Sequence, residues 1–145
     1  KVPFLKRISE KAMKRAADSG VIRTWLGRKC RFNMYEPKSY KYNKAMPMKE
    51  AINEYGSKGS IRRAFTYKAL NKLIQGSAAD MTKKAMVNLY KEGLLAHIQI
   101  HDELDFSVES DSHADKIKQI MEQAVDLKVP NKVDYESGDN WGDIK

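Results

Sequence analysis

Apolar positions near the N-terminus recur at helical spacing. Phe4, Leu5, Ile8, Ala12, Met13 and Ala16 predict an amphipathic helix over 3–19, with Gly20 as its C-terminal stop. The segment VIRTWLGRKCRF then reads as a hairpin, two short runs over 21–26 and 29–32 flanking Gly27-Arg28. Over 33–60 the periodicity fades, and Pro37, Pro47, Gly56 and Gly59 punctuate a Lys/Tyr-rich stretch. That stretch is expected to be an irregular loop or insertion with one short helix around 49–55. From about 60 to 92 a stripe of Leu70, Leu73, Ile74, Ala78, Met81, Ala85 and Leu89 predicts either one long helix or two with a bend near Gly76, closed by Gly93.

Period two then replaces the helical period. In HIQIHDELDFSVES, Ile98 and Ile100 alternate with His97 and Gln99, and Leu104, Phe106 and Val108 alternate with Asp105, Ser107 and Glu109. The expectation is a β-hairpin lying on a core and turning at His101-Asp102-Glu103. Ser112 and Asp115 suggest the cap of a helix reaching about residue 127, with Ile117, Ile120, Met121, Ala124 and Val125 on its apolar face. Pro130 ends it, and KVDYE is a short strand candidate before a polar tail. Helices segregated from antiparallel strands make the expected class α+β, a single partial domain over 1–145.

Charge changes this picture more than composition does. Residues 1–75 hold 19 Lys and Arg against 5 Asp and Glu, while 76–145 hold 8 against 14. A basic half is what a polyanion would meet; an acidic half repels phosphate unless cations lie between them. With 41% hydrophobic residues over 145 positions the chain can build a core. No apolar run approaches the ~18 residues of a transmembrane helix, so no membrane partner is expected. Cys30 alone cannot form an internal disulfide, and the first residue is Lys rather than Met, as in a piece of a longer chain.

Two groups of side chains carry candidate chemistry. A tight hairpin projects its loop residues from a stiff base, and hard cations such as Mg²⁺ prefer carboxylate oxygen, so Asp102 with Glu103 beside it could hold such an ion. A solvated polar turn is the competing reading, and the tripeptide alone does not choose between them. Lys68, Asn71 and Gln75 follow i, i+3, i+7 spacing and share a helical face. Every base pair offers minor-groove acceptors, so two amides one turn apart could test duplex geometry without reading sequence. Gly76 would allow close backbone approach, and Arg62 and Arg63 just upstream could hold phosphates of the same duplex.

NKLIQGSAADMTKKAM, then IQIHDELDFSVES, then SGDNW near the end, together resemble the C-terminal palm portion of family A DNA polymerases, with a lean towards the phage branch. The earlier GVIRTWLGRKCRF is similar to that family's G…T…GR segment. The resemblance implies an antiparallel palm-type sheet whose motif C hairpin packs against helices. It assigns Asp102 to the motif C aspartate of a two-Mg²⁺ centre, Glu103 to the neighbouring acid, and His101 to a histidine near the primer terminus. Asn71 and Gln75 match minor-groove contacts to primer–template DNA, and Lys68 lies close to where the bacterial branch has an arginine. Asp105 and Ser77 depart from the family's commoner residues without removing a ligand.

No segment of the type DYSQIELR, which carries the family's first catalytic aspartate, occurs in the sequence, nor does the fingers helix that grips dNTP. The resemblance therefore implies part of a DNA-directed DNA polymerase that needs an N-terminal polymerase portion as partner, in bacterial or phage-infected cytoplasm, and is inactive alone. A non-catalytic DNA-binding module derived from such a polymerase is the alternative. A small metal nuclease would need further acidic ligands at suitable spacing.

Overall fold

The computed structural model describes residues 3–39 and 44–144, which divide into two compact units, 1–77 and 78–145. The first unit opens with helix α1 (Pro3–Ser19), whose buried residues are the small Ala12 and Ala16. Gly20, at φ +69°, ends it by donating its N–H to the Ala16 carbonyl at 3.0 Å. That positive φ suits glycine, and space demands glycine as well: a Cβ there would lie 2.5 Å from the Arg63 guanidinium carbon.

Strands β1 (Val21–Arg23) and β2 (Lys29–Arg31) pair antiparallel, with Ile22 opposite Cys30. The turn comes earlier and is wider than the two residues the sequence suggests. Gly27 N–H donates to the Thr24 carbonyl at 2.9 Å, placing Trp25 and Leu26 at the apex and Gly27 at φ +90°. The core of this unit gathers Ala12, Ala16, Ile22, Phe32 and Ala69, with Cys30, Leu70 and Leu73 packed against it.

The 33–60 stretch is more ordered than expected. Strand β3 (Met34–Pro37) lies between β4 (Met46–Pro47) and β5 (Ile61–Arg63) in an antiparallel sheet of order β4-β3-β5. Helix α2 (Met48–Tyr55) stands where the short helix was expected. The strands escape pattern reading because each has only two to four residues. Their pairing is also non-local, with Glu36 opposite Arg62.

The helical signal assigned to 60–92 begins later, because β5 and a 3-10 turn (Thr66–Lys68) occupy its first part. Helix α3 (Ala69–Lys91) is one continuous helix through Gly76. Its end is a glycine cap: Gly93, at φ +75°, donates to the Tyr90 carbonyl at 3.1 Å, and Leu94 to the Leu89 carbonyl at 3.0 Å. Ala85 and Leu89 of the expected stripe are buried, whereas Ile74 and Ala78 are exposed.

In the second unit, β6 (Ile98–Ile100) and β7 (Glu103–Asp105) form an antiparallel ribbon. Helix α4 (Asp111–Glu122) starts earlier and stops sooner than its sequence pattern suggests. Its N-cap is Ser110, whose hydroxyl accepts from the His113 N–H at 3.3 Å, rather than Ser112. KVDYE forms no strand. The chain after α4 is instead tied back by the Val133 N–H donating to the Glu122 carboxylate at 3.1 Å. The class is α+β as expected, with the antiparallel strands distributed over three small sheets.

Candidate nucleic-acid interface and carboxylate hairpin

The hairpin turn is set by its register. Ile100 pairs with Glu103, which leaves only His101 and Asp102 as loop, so Glu103 belongs to the strand. His101 has φ +52°. Left-handed backbone at the first of two loop residues is where hairpins favour glycine, and a non-glycine residue there costs about 1–2 kcal/mol. Gln99 braces the bend by donating its side-chain N–H to the His101 carbonyl at 2.8 Å, and the His97 N–H donates to the Asp105 carbonyl at 2.8 Å.

The same register corrects the expectation of a one-sided apolar hairpin. Ile98 faces Asp105 across the ribbon and Ile100 faces Glu103, whereas Leu104 faces Gln99. Cross-strand partners share a face, so the two isoleucines share theirs with acids and Leu104 lies on the other. Ile98 is accordingly 45% exposed. Alternation was present in each strand, but the two-residue turn sets them out of phase.

Asp102 and Glu103 are exposed and adjacent, on a stiff turn. Among the described residues, neither carboxylate accepts a hydrogen bond or enters an ion pair, and no cluster of three or more His, Cys, Asp or Glu stands at metal-holding geometry. The local donor set is therefore two carboxylates.

The amide face belongs to the first unit. Asn71 and Gln75 project from consecutive turns near the start of α3, both exposed, and among the described residues neither amide is tied to another protein group. Lys68 precedes them in the 3-10 turn, its ammonium over the rings of Phe65 at 5.3 Å and Tyr67 at 5.7 Å. Phe65 itself adopts φ +61°.

The two arginines upstream differ. Arg62 is exposed and pairs with its cross-strand partner Glu36 at 2.9 Å, an ion pair of modest worth. Arg63 is built into the fold. Its guanidinium donates to the Phe32 carbonyl at 2.9 Å and the Tyr35 hydroxyl at 2.7 Å, and stands 5.2 Å from the Tyr35 ring centroid. Sequence gave no sign of this commitment, because its partners lie about thirty residues away.

Gly76 is closely approached from within the chain. A Cβ there would lie 2.9 Å from Thr24 Cγ2 and 3.1 Å from Arg28 Nη2. Around it the hairpin turn is fastened to α3. The Arg28 guanidinium donates to the Gly76 carbonyl at 2.8 Å, and the Trp25 N–H to Ser77 Oγ at 3.0 Å. Thr24, buried to 4% exposure, accepts the Arg28 N–H on its hydroxyl at 3.0 Å. The G…T…GR segment thus reads physically as a turn locked against the residues that follow Gln75.

Residues 1–143 match the family model described as DNA polymerase family A. The chain is 38% identical over 142 residues to a DNA-directed DNA polymerase of Pseudomonas phage M6, a match that covers 98% of this chain and 18% of that protein. It is 33% identical to DNA polymerase I of Lactococcus lactis subsp. lactis, covering 99% of this chain and 15% of that one. Among solved structures, the POL domain of Pol1 from M. smegmatis, in complex with DNA primer-template and dNTP, aligns with TM-score 0.57 and 27% identity. That alignment covers 86% of this chain and 20% of the other. The chain therefore spans a fifth or less of the proteins it matches. With a family match running over nearly its whole length, the chain belongs to DNA polymerase family A.

Proposed function

We propose that this chain supplies the duplex-holding helix and one carboxylate wall of the reaction centre of a DNA-directed DNA polymerase, working with an N-terminal polymerase portion. The observation that carries this reading is the strained two-residue turn, which holds Asp102 at its apex with Glu103 beside it, both carboxylates unspent on partners among the described residues. Strain of this kind persists where surrounding structure enforces it, and it gathers at functional sites. A binding module for phosphate gains nothing from two free acids on a stiff turn.

In the proposed reaction a primer 3′-hydroxyl attacks the α-phosphate of a dNTP, forming the new P–O bond, while the bond to pyrophosphate breaks. Asp102 and Glu103 suit Mg²⁺, which binds through one or two carboxylates and fills its shell with water and substrate phosphate. When bound, two such ions would neutralise charge on the attacking and leaving oxygens. Two adjacent carboxylates leave such a pair under-coordinated, which is why a further acid from the partner portion is part of the proposal. His101, on the same turn, would face the primer terminus.

Asn71 and Gln75 would donate their amides to purine N3 and pyrimidine O2, acceptors present at every base pair. Lys68 and Arg62 would meet phosphate, Arg62 exchanging Glu36 for DNA. Arg63 would act on DNA only indirectly, by holding β5 in place. The test is primer extension with the chain alone, with an N-terminal family A polymerase portion alone, and with both. Extension by the mixture only is expected. Extension by the chain alone would contradict the shared-centre proposal, and duplex binding without any extension by the mixture would favour a non-catalytic module.

A further inference from the structure

The hairpin turn carries a feature that the proposed duplex contacts leave unused. Trp25 is 63% exposed at the apex, and Leu26 beside it is also exposed. Exposure of an indole on a loose loop would mean little, but this loop is fixed. The Trp25 N–H is held by Ser77 Oγ, which itself donates to the Leu73 carbonyl at 2.7 Å. The residues on either side are locked by the Thr24–Arg28 and Thr24–Gly27 hydrogen bonds. The ring thus projects from a platform whose backbone has already lost its freedom.

The surroundings are chemically one-sided. Residues 20–33 contain Arg23, Arg28, Lys29 and Arg31 and no Asp or Glu. Arg23 folds back on the turn, donating to the Gly27 carbonyl at 3.0 Å, while Lys29 and Arg31 are exposed on β2. An aromatic face within a cationic surface is the combination that takes a nucleotide, the ring stacking on the base while the cations meet the backbone. Position makes the inference more specific, since the platform is fastened to Gly76 and Ser77, directly after Gln75.

We propose that Trp25 is a stacking platform for an unpaired base of a single strand where it leaves the duplex held by Asn71 and Gln75. Within a duplex each base face is covered by its neighbours, so an indole of this kind finds its partner at an end or an overhang. The proposal rests on the DNA-facing reading of α3, and its test separates the two.

The experiment uses the 145-residue chain carrying Trp141→Phe, which leaves Trp25 as the sole indole. Fluorescein-labelled DNA, either blunt duplex or the same duplex with a 5′ single-stranded overhang, is titrated at low salt, reading DNA anisotropy and Trp25 emission together. Expected are quenching of Trp25 by the overhang substrate and about five- to tenfold tighter binding of it than of blunt duplex, the lower end of what one stacked base supplies. Trp25→Ala and Trp25→Leu should erase that preference while leaving blunt binding unchanged, and Trp25→Phe should keep most of it. Circular dichroism confirms that each variant is folded. Anisotropy that rises with unchanged Trp25 emission, or an overhang preference that survives undiminished in Trp25→Ala, would overturn the platform and leave the DNA-facing helix standing. Quenching produced by an N-terminal polymerase portion and not by DNA would overturn it in favour of a protein-covered indole. No binding of either DNA would sink the helix reading and the platform together.

Discussion

Replacing Gly76 with alanine sets two effects against each other at one atom. Inside a helix the change ordinarily gains about 1 kcal/mol, because glycine carries extra unfolded freedom. Here the added methyl would lie 2.9 Å from Thr24 Cγ2, a β-branched side chain that is buried and fixed through its own hydroxyl. Overpacking of this kind costs about 1–3 kcal/mol. Thr24 cannot yield without losing its bond to the Arg28 N–H, and Arg28 Nη2, 3.1 Å from the same point, is held to the Gly76 carbonyl at 2.8 Å. The net expectation is a loss of about 1 kcal/mol, or a fall in Tm of roughly 2–4 °C for a chain of this size. Thr24→Ser isolates the cause, since it removes the obstructing methyl and keeps the hydroxyl. In that background Gly76→Ala should become neutral or stabilising, a coupling of about 1–2 kcal/mol. Urea denaturation followed by circular dichroism on the four proteins of this cycle measures it. An equal gain of about 1 kcal/mol in both backgrounds would show that Thr24 Cγ2 does not obstruct the added methyl.

Further outcomes follow from the same geometry. Arg63→Ala should cost about 2–3 kcal/mol, through the lost bonds to the Phe32 carbonyl and Tyr35 hydroxyl, and Arg63→Lys should recover less than half by urea denaturation. Ser110→Ala should cost about 1 kcal/mol and Ser112→Ala less than 0.5 kcal/mol, placing the cap of α4 by thermal melting. His101→Gly relieves the left-handed backbone. It should leave stability unchanged or up to ~1 kcal/mol higher, while extension by the reconstituted polymerase falls; unchanged extension would remove His101 from the site.

What could be read from the sequence was whatever depended on local repetition. α1 and its glycine stop, the long apolar run of α3, and the carboxylate turn all follow from spacing within one element. The sheet β4-β3-β5 did not, because its strands are two to four residues long and pair across 11–13 positions (β3 with β4) and 24–28 positions (β3 with β5). The phase of the β6–β7 hairpin was hidden for a related reason. Each strand alternates correctly, and only the number of loop residues decides whether the two apolar sets share a face. Gly76 shows a third kind of difference: its need for close approach was visible, but that Thr24 stands beside it was not. Among the described residues Asp102 and Glu103 keep their carboxylates unpartnered while Arg63 is committed internally, which separates residues that sequence treated alike.

Asp102 is proposed to act in nucleotide addition and not merely in a polar turn. Its most direct test is the single-turnover rate of dNTP incorporation by the reconstituted enzyme, with Asp102→Asn compared with the unaltered chain at saturating primer–template and dNTP. The substitution keeps the shape of the turn and removes the charge. The expected result is a fall in rate of about a hundredfold or more, with DNA affinity and stability unchanged. A rate that stays at the unaltered value would contradict the account and return the turn to solvated polarity.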